Sequence, residues 1–166
     1  MPTSLSSRSP SSSSPSLTFR CRSCHTVITG PVVEVALPDP DKAPMPYSRQ
    51  GVGDCPSRVG PGAFAYEPPR AAASRIRPTE TWDVRALYKS LALDGVILAK
   101  ADLRNTRTTT RRGRVNGCCG LDGCDGPNLE CAQCGNFVAT EQSDCWTAQQ
   151  IALVPAAVEL GPAAGD

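Results

Sequence analysis

The chain has 166 residues with 16 prolines, 14 glycines and only 5% aromatics, so the large side chains that usually fill a core are scarce. A net charge of +1 leaves no global field to draw it to nucleic acid or to a membrane surface. No apolar run approaches the length of a membrane-spanning helix, and the length suits one domain with room for tails.

Residues 1–17 are Ser/Pro-rich and predict a disordered tail, because they offer little to bury against the entropy of ordering. No apolar stretch of the secretory kind opens the sequence. Nine cysteines, an odd number, then argue for a reducing, cytoplasmic setting and metal ligation rather than a disulfide framework. Residues 18–158 are expected to form a single zinc-binding domain, and 159–166 a loose C-terminal tail.

The domain opens on LTFRC, which reads as a short strand delivering Cys21. Cys21-Arg-Ser-Cys24 follows. A redox CxxC sits at a helix N-terminus, where the helix dipole lowers the thiol pKa. Here Val27-Ile28 and Val32–Val35 follow instead, broken by Gly30-Pro31, so two short strands and a metal knuckle are expected. His25, the single histidine, is expected to lie beside the knuckle or at the surface. Residues 37–80 are proline-rich loop holding one short strand at Gly62–Tyr66, with Cys55 an incidental loop thiol.

From Thr81, TWDVRALYKSLAL predicts a helix capped by Thr79 or Thr81, with Trp82, Leu87 and Leu91 on one face and a strand as the alternative. Gly95–Lys100 predicts a strand closed by Asp102. The run from Arg104 to Arg114 holds five arginines (Arg104, Arg107, Arg111, Arg112, Arg114) and no acid. It suggests a mobile, solvated connection, with phosphate contact in a nucleic-acid complex as the functional alternative. Asn136–Thr140 and Gln149–Val154 complete the predicted strands, the second stopped by Pro155.

Six of the nine cysteines fall between Gly117 and Trp146. Cys131-Ala-Gln-Cys134-Gly135 is a second knuckle, and the two CxxC pairs together supply the four thiolates of a closed tetrahedral zinc site. Joining Cys21 and Cys24 to Cys131 and Cys134 closes a long loop at about 4 kcal/mol beyond a constant, well within the roughly 10–16 kcal/mol that structural zinc supplies. A local site of Cys119, Cys131, Cys134 and Cys145 would strand the first knuckle. A second site could recruit Cys118, Cys119, Cys124 and Cys145, but neighbours in extended backbone point apart, so these four are expected instead to pack as small buried side chains near Trp146. A Cys145–His25 dyad oriented by Asp144 is the weakest alternative. The sequence contains neither HExxH nor a nucleotide-binding glycine loop.

RVNGCCGLDGCDGPNLECAQCG followed by TEQSDCW resembles a motif set of small actinobacterial zinc proteins of unassigned activity. More distantly, one CxxC near each end of a β-rich domain is similar to the β-tent fold of Yippee-like proteins and the ligand-binding domain of cereblon. That resemblance implies one structural zinc on Cys21, Cys24, Cys131 and Cys134, without the aromatic cage of the cereblon type. The expected protein is mainly β, a small zinc-stapled domain of β-tent or zinc-ribbon kind with long Pro/Gly-rich loops and room for one short helix. Its expected role is that of a binding or adaptor module for a protein or small-molecule ligand. A nucleic-acid-binding regulator and a cysteine-dependent enzyme or redox sensor are the alternatives.

Overall fold

In Leu17–Cys21 (β1) a period of two puts Phe19 and Cys21 on one face, and both are buried. The computed structural model describes residues 16–39, 42–44, 46, 55–67 and 95–163. The further strands are Val33–Glu34 (β2), Ala63–Glu67 (β3), Gly95–Leu98 (β4), Thr106–Thr108 (β5), Leu129–Cys131 (β6), Phe137–Gln142 (β7), Gln150–Leu153 (β8) and Val158–Pro162 (β9). β1 and β9 form an antiparallel two-stranded sheet, and the remaining seven run in the order β2-β3-β4-β8-β7-β6-β5. Among the described strands only β2 against β3 is parallel. The described chain is mainly β, and none of its helices is long and apolar enough to cross a membrane.

Gly-Val-Ile-Leu of β4 is buried on both faces, as a continuous apolar run at a sheet centre should be. Val96 and Leu98 join Phe19, Phe64, Val138, Ile151, Leu153 and Val158 in the main core. That core takes side chains from both sheets, and it includes Cys21 and Cys131. Ile97 points the other way, into a smaller cluster with Val59, Ala65 and Ala152. Phe19 meets Phe64 edge to face at 5.1 Å, one of the few aromatic contacts the composition allows.

Some expectations need correction. The chain from Val158 to Ala163 is not loose: β9 reaches Pro162, and Ala163 N still donates to Ser16 O at 3.0 Å. The arginine run is not wholly a loop, because its Thr106–Thr108 segment pairs with β6, Thr106 opposite Cys131. Leu17 opens β1 as the LTFRC strand predicts, and it pairs with Pro162. The strand expected at Val27-Ile28 reduces to single bridges, Arg20 with Val27 and Thr29 with Leu103. The Ser/Pro stretch 1–15 and the helix expected from Thr81 lie outside the described residues.

Where β6 meets β7 the register shifts between Leu129 and Glu130, and a fully buried side chain, Asn128, fills the gap. Its Nδ2 donates to Glu141 O at 3.0 Å and its Oδ1 accepts from Glu141 N at 2.7 Å, so an amide side chain completes the ladder as a backbone would. Removing it leaves two buried backbone groups without partners. Asn128→Ala should therefore cost about 2–3 kcal/mol, seen as a lower urea midpoint at unchanged m-value. A loss below about 0.5 kcal/mol would show that water replaces the amide there.

Candidate metal centre

Each knuckle is built the same way. Cys21 N donates to Thr26 O at 2.8 Å, and His25 N to Cys21 O at 2.8 Å. In the second, Cys131 N donates to Asn136 O at 2.8 Å, and Gly135 N to Cys131 O at 2.9 Å. The fifth position turns left-handed in both, with φ of 59° at His25 and 75° at Gly135. A following glycine meets that demand without strain, whereas histidine must bear it. His25 therefore occupies the glycine position of its knuckle. Its ring reaches outward, with Nδ1 2.6 Å from Glu159 Oε1 and the side chain 71% exposed.

The two knuckles face one another. Cys21 Sγ lies 3.6 Å from Cys134 Sγ, and Cys24 Sγ lies 3.6 Å from Cys131 Sγ. All four sulfurs fall within 4.8 Å of each other. Sulfurs at about 2.3 Å around one tetrahedral ion would stand about 3.8 Å apart, so a cluster of this size can hold a single metal ion. Cys21 and Cys131 are buried in the main core, Cys24 is half-buried and Cys134 lies at the surface. The donor set is all sulfur and closed, the chemistry of a tetrahedral structural centre.

Cys24 and Cys134 are shifted in opposite directions. The Thr26 hydroxyl, 3.3 Å from Cys24 Sγ, and the Thr26 amide draw the Cys24 thiol down to about 6. At Cys134 the Asn136 amide pulls the same way, but burial and the Cys24, Cys21 and Cys131 sulfurs prevail and push it up to about 12. Crowded thiols resist sharing negative charge, and a cation among them removes that resistance.

The segment before β5 locks the knuckles together. Arg104 N donates to Ile28 O at 2.7 Å, and Asn105 Nδ2 to Val27 O at 2.9 Å. Asn105 O then accepts from Ala132 N at 2.8 Å, inside the second knuckle. Asn105 has φ of 49°, a conformation asparagine tolerates better than most residues. Sequence reasoning missed this clamp, and its one visible signal was an asparagine after a strand closed by Asp102. Asn136 Nδ2 adds a direct link to Ser23 Oγ at 2.6 Å.

The remaining predicted residues fall elsewhere. Cys118, Cys119 and Cys145 converge into a second group within 4.8 Å, while Cys55, Cys124 and His25 belong to neither group. Cys118, Cys119 and Cys124 are exposed, which corrects their expected burial against Trp146. The local arrangement also fails, since Cys119 and Cys145 do not group with Cys131 and Cys134. The Asp144 side chain pushes the Cys145 thiol up to about 12, with burial and Cys119 adding to it. Burial works against the Asp144 carboxylate, yet Cys145 and the amides of Cys118, Cys119 and Trp146 hold it below its ordinary range.

Most of the arginine run is held by the protein itself. Arg104 Nη1 donates to Ala101 O at 2.8 Å and Leu103 O at 2.7 Å, and Arg107 Nε to Glu130 Oε2 at 3.3 Å. The Thr109 hydroxyl, followed by Arg107, keeps the Glu130 carboxyl below its usual range. Arg111 and Arg114 lie 4.9 and 5.5 Å from the Phe137 ring centre, and Arg114 also donates to Asp125 O. Arg112 is exposed.

The matched knuckles give a direct test. His25→Gly removes a strained φ but frees the unfolded chain, so stability should stay within about 1 kcal/mol and metal should be retained. His25→Val puts a β-branched residue at the same φ and should lose about 1–2 kcal/mol in thermal melts. Metal loss in His25→Gly would instead make the imidazole a ligand. Compared with protein-family models, with curated proteins and with solved structures, the chain finds no match.

Proposed function

We propose that Cys21, Cys24, Cys131 and Cys134 hold one structural zinc ion, and that the domain it staples is a binding or adaptor module rather than an enzyme. The observation that carries this is the closed set of four sulfurs, cross-paired at 3.6 Å, with two of them inside the core. Zinc favours four thiolates in a tetrahedron, and with four protein ligands it has no position left for a substrate or a reactive water. When bound, such an ion supplies folding free energy, while Cys21 in β1 and Cys131 in β6 supply its link between the two sheets.

Metal analysis with native mass spectrometry of the full chain tests the zinc. One zinc per chain is expected, with Cys21→Ser abolishing it. No metal, or iron in place of zinc, rejects the assignment.

A further inference from the structure

Adjacent cysteines in extended chain project to opposite faces. Yet Cys118 Sγ and Cys119 Sγ lie 3.7 Å apart, and the Cys145 sulfur joins them within 4.8 Å. The cause is a backbone curled around a buried anion. Asp144, 3% exposed, accepts the amides of Cys118 and Cys119 on Oδ2 and that of Trp146 on Oδ1. Successive N–H groups closing on one carboxylate form a nest, and a nest does not alternate its side chains.

The loop is fixed to the 143–146 turn from both sides. Leu121 O accepts from Ser143 N at 2.8 Å and Asp144 N at 3.1 Å, and Leu121 N donates to Ser143 Oγ at 3.2 Å. Contact is too close for side chains at its two glycines. A Cβ on Gly120 would stand 2.3 Å from Ser143 O, and one on Gly117, where φ is +144°, only 1.9 Å from Gly120 O. The three sulfurs are thus preorganised, and unlike the first cluster they face outward, with Cys118 and Cys119 exposed.

We propose that Cys118, Cys119 and Cys145 form a second, solvent-facing site that takes one soft monovalent cation, Cu(I), on three sulfurs. The donors are all thiol, the ligand type that selects soft ions. Among the described residues no fourth cysteine, histidine or carboxylate shares the same span, and the Asp144 carboxylate, held by three amides, also accepts from the Cys145 thiol. Tetrahedral zinc would lack a protein ligand here. Cu(I) is complete with three thiolates. Binding exchanges thiol protons for the cation and moves no electrons. An exposed three-sulfur site can also pass its ion to thiols that approach from solvent, so it suits cargo rather than a staple.

The test is anaerobic titration of the zinc-loaded full chain with Cu(I) held on a chromophoric chelator, following copper transfer and zinc release together. One equivalent should leave the chelator while zinc stays bound. Cys118→Ser and Cys119→Ser change exposed side chains and should keep their melting temperatures. Each should weaken copper retention by more than about 100-fold, beyond what loss of a mere supporting contact costs. Cys124→Ser should leave retention unchanged. Copper remaining on the chelator, a first equivalent that evicts zinc, retention surviving both substitutions, or two tightly held zinc ions would each overturn the site. A chain isolated without zinc that still takes up copper through Cys118 would reject the structural zinc and leave this site standing.

Discussion

Cys21→Ser and Cys134→Ser should behave alike: each should lose the metal and cooperative unfolding. The two sulfurs are 3.6 Å apart although their residues are 113 positions apart in the chain, so either change leaves three thiolates and opens the same long loop. Structural zinc contributes on the order of 10–16 kcal/mol in small peptides, against a whole-domain stability of roughly 5–15 kcal/mol. With the proposed zinc bound, loss of one ligand would remove a contribution comparable to the whole stability of the domain. The double variant should be little worse than either single one, as expected of residues acting as a unit. Cys145→Ser should keep the zinc and cost about 1–2 kcal/mol. Zinc content and thermal melts decide it, and a metal-loaded, cooperatively melting Cys21→Ser would contradict the staple.

Arg58→Met should cost about 3–5 kcal/mol without touching the metal. The Arg58 side chain is fully buried, paired with Glu67 and donating from Nε and Nη2 to Pro38 O at 3.3 and 3.1 Å. Truncation strands a carboxylate that is itself only 9% exposed. Adding Glu67→Leu should then recover part of the loss, because an apolar pair replaces an uncompensated charge. If the double variant is no more stable than Arg58→Met, the penalty comes from the bonds to Pro38 and not from the stranded carboxylate. The measurement is a denaturant double-mutant cycle.

Much of the fold was legible because local chemistry and tertiary pairing agree in β1, β3, β4, β7 and β8. Gly95–Leu98 is apolar throughout, as a central strand must be. β9 and β5 were hidden for the opposite reason. Val158–Pro162 carries glycine and proline, and Thr106–Thr108 sits among arginines, so only their partners make them strands. The first cluster could be read because CxxC fixes two sulfurs locally and a tetrahedral ion needs two such pairs. The second was weighed as an alternative and set aside, because alternation assumes extended backbone and the curl at Cys118-Cys119 comes from Asp144, distant in sequence. Asn128 was silent for the same reason, its partner Glu141 being set by the fold.

The pairing of β1 with β9 also has a mechanical meaning. Leu17 lies opposite Pro162, so both ends of the described chain leave the two-stranded sheet side by side. Ladder bonds run perpendicular to the strands. Tension applied at residues 16 and 163 would load them one rung at a time, like a zipper, and little force would open each. The last rung is Cys21 against Val158. There the tear meets a sulfur of the four-cysteine cluster, and with an ion in place the next step is rupture of a metal–thiolate bond. With the proposed ion bound, the molecule would thus be soft under load along these five residue pairs and stiff beyond them.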